Sequence, residues 1–222
     1  MRKVLIVSVH PDDETLGCGG TILKHKVLGD ELHWLIFTKA TESLGYNADF
    51  LKQREQQIDQ VSKIYGFQSV HELGFQTTQL HKIDFNVLLQ SVNKVIDGLK
   101  PELIYMINRS DAHTDHRIAA QIMMSCTKSF RKPYINKILM YECLSETEMA
   151  PALPENIFLP NVFSDITNYL EQKKEIMRLY TSEIAAPPFP RSLENVEALA
   201  RLRGSECGVL YGEAFMLVRE RF

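Results

Sequence analysis

The feature that most constrains this chain is its alternation of short apolar runs with longer amphipathic stretches. The first run, residues 3–9, is apolar almost throughout, which is typical of a strand buried on both faces of a sheet. A predicted helix from Glu14 to Leu28 follows this strand, and the alternation of strand and helix repeats along the chain. Strand and helix signals that alternate in this way favour a mostly parallel sheet with helices on both faces. We therefore predict an α/β, Rossmann-like fold in a single domain over residues 1–222.

The same patterns place the remaining elements. Further strands are predicted over residues 31–38, 70–74, 102–108, 135–142 and 214–218. Further helices are predicted over residues 49–65, 83–99, 115–130 and 165–180. A last helix, capped by Ser192, is expected to end near Leu202. The prolines at 151, 154 and 160 indicate a loop between the predicted strand 135–142 and the predicted helix 165–180.

Composition narrows the class of protein. The 222 residues are 45% hydrophobic and 24% charged, with a formal net charge of −3 and no basic block, which argues against nucleic acid as a partner. The four cysteines stand far apart without a Cys-x-x-Cys pair, so we expect reduced thiols and a cytoplasmic location. The apolar run after Lys3 is too short for a signal peptide, and no stretch approaches the roughly 20 residues of a membrane span.

Two polar clusters follow predicted strands at the point where each strand ends. The first, residues 10–14, comes directly after the first strand, and the second, residues 111–116, follows the strand that ends near Asn108. In an open α/β sheet, ligands bind at the carboxyl ends of the strands. We therefore expect both clusters to open onto the same edge of the sheet.

Each cluster offers two possible metal ligands three residues apart, which are His10 with Asp13 and His113 with His116. A catalytic zinc usually has three protein ligands and leaves the fourth position to water, whereas a structural zinc has four. The sequence alone leaves open a closed site that includes His113. The spare carboxylates of Asp12 and Asp115 favour a hydrolytic site, because hydrolysis needs a base outside the coordination shell.

A dinucleotide site is the main alternative for the glycine-rich stretch after the first strand. The run Gly17-Cys18-Gly19-Gly20 does not follow the G-x-G-x-x-G spacing. The preceding carboxylates, residues 12–14, would repel a pyrophosphate at the start of the helix. The sequence therefore argues against NAD, and the same carboxylates suit a divalent cation.

Two segments carry a resemblance to a known family. The segment VSVHPDDETLGCGGTILKH resembles the opening motif of the LmbE-like/PIG-L family of zinc-dependent de-N-acetylases. The segment DAHTDHR is similar to that family's second motif, usually written HPDH. Arg54 with Gly66, and the stretch ARLRGSECGVLYGEAF, extend the resemblance over nearly the whole chain.

The resemblance implies a role for each matching residue. It implies a zinc ion, with iron(II) as the alternative, held by three ligands: His10, Asp13 and His116. Asp12 would be the general base, and protonated His113 would stabilise the oxyanion. Asp115 would orient His113, and Arg54 would contact the substrate. Three departures from the family pattern affect the substrate pocket more than the metal: Thr114 replaces a proline, Gln57 replaces a frequent glutamate, and residues 74–78 lack a common aspartate.

The function that the resemblance implies is hydrolysis of the N-acetyl group of an amino sugar or its conjugate, releasing acetate and a free amine, in cell-envelope glycan or glycoconjugate synthesis. The alternatives are a zinc amidohydrolase that acts on a non-sugar acylated amine, and a non-catalytic metal- or sugar-binding protein. The intact Asp12 argues against the non-catalytic protein. The sequence does not identify the sugar or its carrier, and it leaves the roles of Tyr211 and Glu213 open. The oligomeric state is also open, and a homo-oligomer is compatible with the sequence.

Overall fold

The computed structural model describes residues 1–222 and contains one seven-stranded sheet. Its strands are β1 (Lys3–Ser8), β2 (Glu31–Lys39), β3 (Ser69–Gln76), β4 (Leu103–Ile107), β5 (Lys137–Tyr141), β6 (Val162–Asp165) and β7 (Gly212–Glu220). Its helices are α1 (Asp13–Val27), α2 (Ala48–Tyr65), α3 (Phe85–Leu99), α4 (Thr114–Cys126), α5 (Leu170–Met177) and α6 (Leu193–Cys207). The strand order is β3-β2-β1-β4-β5-β7-β6, and only β7 runs in the direction opposite to the other six strands. The predicted α/β, mostly parallel sheet is confirmed.

Three predicted boundaries are wrong. The helix predicted over 115–130 ends at Cys126, where the hydroxyl of Thr127 donates to a carbonyl of the last turn. The helix predicted over 165–180 is the shorter α5, because Asp165 ends strand β6 and its carboxylate accepts from the Thr167 N–H in a turn. Strand β6, at the edge of the sheet, was not predicted. The last helix continues past Leu202 to Cys207.

The core places the two polar clusters side by side. Strand β1 lies between β2 and β4, and Val4 is aligned with Leu32 on one side and Leu103 on the other. Residues 4–7 have no exposed surface and belong to a cluster of 42 buried hydrophobic residues. Because β1 and β4 are parallel neighbours, the residues that follow them meet at one edge of the sheet, as predicted.

Helix α1 is broken at Cys18, whose φ of −145° is not helical. A buried ion pair satisfies the backbone groups that the break exposes. The ammonium of Lys173 donates to the Leu16 carbonyl before the break (2.9 Å) and to Glu213 (2.7 Å). The Glu213 carboxylate accepts from the N–H groups of residues 20 and 21 after the break (2.9 and 2.7 Å). Glu213, whose role the sequence left open, therefore holds α1 against the sheet.

Close packing explains a glycine in the first turn of α1. A Cβ at Gly17 would lie 2.0 Å from Cδ2 of Tyr141, on β5. The Tyr141 hydroxyl donates to the Val7 carbonyl on β1 at 2.7 Å, so the ring cannot move aside without breaking a buried hydrogen bond. Gly17 thus lets the helix that follows the first polar cluster lie directly on the sheet.

None of the helices combines the length and the apolar character that crossing a bilayer requires.

Candidate metal centre

The end of β1 and the start of α1 fix the first polar cluster. The N–H groups of Val9 and His10 both donate to Oδ2 of Asp13 at 2.9 Å, which holds this carboxylate at the strand end. Asp12 has a φ of 143°, a conformation that is strained for a residue with a side chain. Its N–H donates to Glu14 (3.1 Å). The strained turn separates the side chains of two neighbouring aspartates, so they can act differently.

The loop between β4 and α4 fixes the second cluster. Nδ1 of His116 lies 2.9 Å from Oδ2 of Asp111, and the other oxygen of this carboxylate accepts from Asn108 (3.0 Å) and Thr147 (2.7 Å). A carboxylate partner keeps the proton on Nδ1, so the lone pair of Nε2 points away from Asp111. His116 is therefore presented as a ligand through Nε2.

Three donor atoms from the two clusters converge. His116 Nε2 lies 3.3 Å from His10 Nδ1 and 3.5 Å from Asp13 Oδ2, and these last two atoms are 4.0 Å apart. Ligands of a tetrahedral zinc with bonds of about 2.1 Å are about 3.4 Å from one another. The predicted set of His10, Asp13 and His116 thus has the chemistry and the spacing that a zinc ion or a similar divalent cation requires.

The electrostatics of this set also suit a cation. Burial acts to raise the pKa of Asp13, but His116 and His10 outweigh it and the pKa is lowered. Burial acts to lower the pKa of His116, but Asp13 and Asp111 raise it to about 9. A buried site that stabilises positive charge on an imidazole in this way equally favours a divalent metal.

The Asp115 side chain contacts the backbone of the loop that follows β3. Its carboxylate accepts from the N–H groups of Thr78 (2.6 Å) and Leu80 (3.2 Å), and it lies 3.8 Å from Nε2 of His10. That nitrogen has no partner within hydrogen-bond distance. The carboxylate is directed toward residues 78–80, whereas the contact of Asp115 with His113 is made by its backbone N–H, which donates to Nδ1 of His113 (3.1 Å). His10, His113 and Asp115 also lie close enough to form a second possible ligand set.

The contacts of His113 favour a neutral imidazole over the imidazolium that the resemblance implies. Its Nδ1 accepts from the N–H of Asp115 (3.1 Å) as the N-cap of α4, which leaves the ring proton on Nε2. Burial, and then His10 and His116, lower the pKa of His113 to about 4. A neutral imidazole with its proton on Nε2 still donates a hydrogen bond, which is what an oxyanion needs.

A cavity of about 1080 Å³ opens beside these side chains, and His10, Asp12 and His113 line its inner end. Arg54 lines the same cavity, as its predicted substrate contact requires. Its guanidinium donates to the carbonyl of Pro11 (2.9 Å) and forms an ion pair with Glu183. Arg54 therefore joins α2 to the strained turn that holds Asp12.

Two residues at this cavity were not predicted. Arg191 lies 3.4 Å from Oδ2 of Asp12 and 3.3 Å from Glu183. Burial, followed by the neighbouring Asp13, raises the pKa of Asp12 well above its usual value, and Arg191 opposes this shift. Arg191 is a single basic residue after a proline-rich loop, 179 positions from Asp12, and no spacing in the sequence connects the two.

Comparisons with known proteins identify a family and relatives of this chain. The model of the family PIG-L, described as GlcNAc-PI de-N-acetylase, matches residues 5–127, more than half of the chain. The chain is 23% identical over 225 residues to the diacetylchitobiose deacetylase of Thermococcus kodakarensis, covering 98% of this chain and 84% of that protein. It is 23% identical over 196 residues to a probable N-acetyl-alpha-D-glucosaminyl L-malate deacetylase 2 of Bacillus anthracis, covering 83% and 82%.

A solved structure shares the fold. The conserved protein TT1542 from Thermus thermophilus superimposes with a TM-score of 0.79 at 24% identity, covering all of this chain and 97% of that one. The motif-bearing residues, 10–14 and 111–116, fall inside the part that the family model matches.

Proposed function

The chain belongs to the PIG-L family, and on that premise we propose that residues 1–222 form one metal-dependent hydrolase domain that removes the N-acetyl group of an amino sugar or amino-sugar conjugate. The products are acetate and a free amine. The names of the two curated relatives, both deacetylases of N-acetyl sugars, support this substrate class. The observation that carries the proposal is the convergence of three metal donors beside an aspartate that is not one of them, at the end of an open cavity.

His10, Asp13 and His116 would hold the metal through the atoms that face one another in the site. Zinc, or iron(II) in its place, supplies Lewis-acid chemistry that activates water and polarises an amide carbonyl. Asp111 keeps His116 in the tautomer that binds through Nε2. A carboxylate hydrogen-bonded to a histidine ligand in this way raises metal affinity. The Asp115 carboxylate lies near the remaining ring nitrogen of His10, at 3.8 Å, which is beyond hydrogen-bond distance.

Asp12 is the proposed general base. The residue is 2% exposed, and burial raises its pKa toward neutral pH. A base whose pKa is near the working pH can both accept and return a proton. In the proposed reaction Asp12 takes a proton from the attacking water and passes it to the nitrogen of the leaving amine. The guanidinium of Arg191 lies 3.4 Å from this carboxylate and restrains it.

His113 is the proposed donor to the oxyanion. With Nδ1 occupied by the Asp115 N–H, its Nε2–H is free to point into the cavity that it lines. A preorganised donor of this kind acts where negative charge develops in the transition state. The proposal thus keeps His113 in the role that the sequence resemblance implies, but as a neutral group.

The cytoplasm is the proposed location. All four cysteines are free thiols, and three of them are buried, so no disulfide stabilises the fold. The place in cell-envelope glycan synthesis stays a prediction.

The test is acetate release from a panel of N-acetyl sugars and non-sugar N-acetyl amines. Protein loaded with zinc or iron(II) is expected to release acetate and amine in equal amounts from at least one N-acetyl sugar. Removal of the metal with a chelator should abolish turnover, and restored metal should return it. Acetate release from the non-sugar amines alone would contradict the sugar substrate class, and metal-independent release would contradict the mechanism.

A further inference from the structure

We infer that the cavity has an outer subsite at Tyr46 and Phe50 for a second, uncharged sugar ring, so that the substrate is a neutral glycan of at least two sugars. The inference rests on the proposed de-N-acetylase function, and it names the carrier that the sequence left open. It depends on three separate features of the cavity: the position of its aromatic side chains, its size and its charge.

Arg54 connects the aromatic pair to the loop that carries the first polar cluster. Arg54, which donates to the carbonyl of Pro11 beside Asp12, has its guanidinium carbon 5.4 Å from the centre of the Phe50 ring. The Phe50 and Tyr46 rings stack at 4.9 Å with an angle of 25°. Both side chains line the cavity and are half-buried, so the wall runs from the metal donors through Arg54 to the two rings.

The two rings stand out within a polar cavity. Only 5 of its 24 lining residues are hydrophobic, and Tyr46 and Phe50 are the only phenylalanine, tyrosine or tryptophan side chains among them. The apolar C–H face of a sugar ring packs against an aromatic ring, and its hydroxyls bond to surrounding polar groups. An aromatic pair amid polar side chains therefore suits a sugar better than it suits an acyl chain.

The volume leaves room for a second ring. The cavity measures about 1080 Å³, whereas sites for drug-sized ligands measure about 300–1,000 Å³. A single N-acetyl sugar placed with its acetyl group at the metal centre fills only the inner part. The outer part, bounded by α2 and the turn before it, then lies beside the aromatic pair.

The charge of the lining disfavours anionic carriers. Glu42, Glu55 and Glu72 are exposed in the cavity, and none of them forms an ion pair. The two arginines are already neutralised, because both pair with Glu183 and Arg191 also pairs with Asp12.

The remaining cation of the lining is Lys39, which has no ion pair. One lysine stands against four carboxylates without an ion pair, because the half-buried Glu146 also lines the cavity, and the resulting negative potential repels a phosphate or a carboxylate on the substrate. The hydroxyls of a neutral sugar, in contrast, can donate to these carboxylates. The second ring is therefore assigned as uncharged.

The experiment measures binding separately from turnover. Metal-loaded His113→Ala protein, which keeps the carboxylates and cations of the lining unchanged, is titrated calorimetrically with N-acetylglucosamine, its β-1,4-linked disaccharide and N-acetylglucosamine 1-phosphate at low salt. The disaccharide is expected to bind about 3- to 10-fold more tightly than the monosaccharide, the range of one aromatic stacking contact. The 1-phosphate is expected to bind more weakly than either.

Variants locate the effect. Tyr46→Ala should remove most of the advantage of the disaccharide, whereas Tyr46→Phe should keep it. Phe130→Ala, which removes an aromatic ring that is 76% exposed and does not line the cavity, is the matched control. The double variant Glu42→Gln/Glu72→Gln should strengthen binding of the 1-phosphate several-fold at low salt and much less at high salt. Glu171→Gln, on the surface of α5, is the control for this double variant and should not strengthen binding of the 1-phosphate.

The outcomes separate the two claims. Equal binding of the monosaccharide and the disaccharide, a disaccharide advantage that survives Tyr46→Ala, or tighter binding of the 1-phosphate would each overturn the outer subsite. Preferred binding of the disaccharide without acetate release by the wild-type protein would keep the subsite and overturn the proposed function.

Discussion

Replacing Glu213 by alanine removes the carboxylate that bridges the break in α1. Its Oε1 accepts from the N–H of Gly20 (2.9 Å) and from the Lys173 ammonium (2.7 Å), and its Oε2 accepts from the N–H of Thr21 (2.7 Å). Both charged side chains are only 4% exposed. The substitution therefore leaves a buried ammonium without its counter-ion and two buried N–H groups without acceptors.

The expected loss of stability is large. Breaking a buried ion pair by removing one partner costs about 3–5 kcal/mol, and that range already includes part of the cost of the unsatisfied groups. For a domain of this length, each 1 kcal/mol lowers the melting temperature by about 2–4 °C, so the fall should be roughly 6–20 °C. Glu213→Gln keeps an acceptor oxygen but loses the charge, so its melting temperature should lie between those of the wild type and Glu213→Ala.

The assay is thermal unfolding followed by circular dichroism on metal-free protein, so that metal binding does not mask the change. Lys173→Met combined with Glu213→Leu removes both charges and should recover part of the loss. Asp59→Ala, which removes half of an exposed helical ion pair with Lys63, is the control and should change little. A Glu213→Ala protein that melts within about 2 °C of the wild type would refute the role of this carboxylate in holding α1.

Three further predictions concern the site and its support. Asp111→Asn should weaken metal binding by about 10- to 100-fold in competition with a chromophoric chelator, because His116 loses its orienting carboxylate, and unchanged affinity would contradict that role. His113→Ala should retain its metal by elemental analysis but lower kcat by roughly 10²- to 10³-fold, and a metal-free variant would instead make His113 a ligand. Gly17→Ala should lower the free energy of unfolding by at least about 1–3 kcal/mol in denaturant titrations, whereas Gly98→Ala, with nothing within 4 Å of the added methyl, should not.

The parts of the fold that the sequence predicted are those with a strong local pattern. The uninterrupted apolar run of β1 and the turn signals at Gly66 and Pro101 indicate elements that the structure contains. Strand β6 was missed because it has four residues, lies at the edge of the sheet and pairs only with β7. Its position depends on a strand far later in the chain, which no local pattern reports.

The same distinction applies to the candidate site. The two clusters could be found because their residues are three positions apart and follow strands. Arg191 and Glu183 could not be found in this way, because a distant loop brings them to Asp12. The contacts of the Asp115 carboxylate could not be read from the sequence for a related reason: side-chain direction at the start of α4 takes the carboxylate to residues 78–80, and only the backbone N–H contacts His113.

The most direct test of the central claim compares two neighbouring aspartates in metal content and acetate release. The structure places Asp13 among the three candidate metal donors, whereas Asp12, the proposed base, lines the cavity. Asp12→Asn should therefore keep about one metal ion per chain while kcat falls by at least roughly 10²-fold. Asp13→Asn should lose the metal, and its activity with it. Loss of metal in both variants, or an Asp12→Asn protein with wild-type turnover, would contradict a metal-dependent de-N-acetylase that uses Asp12 as its base.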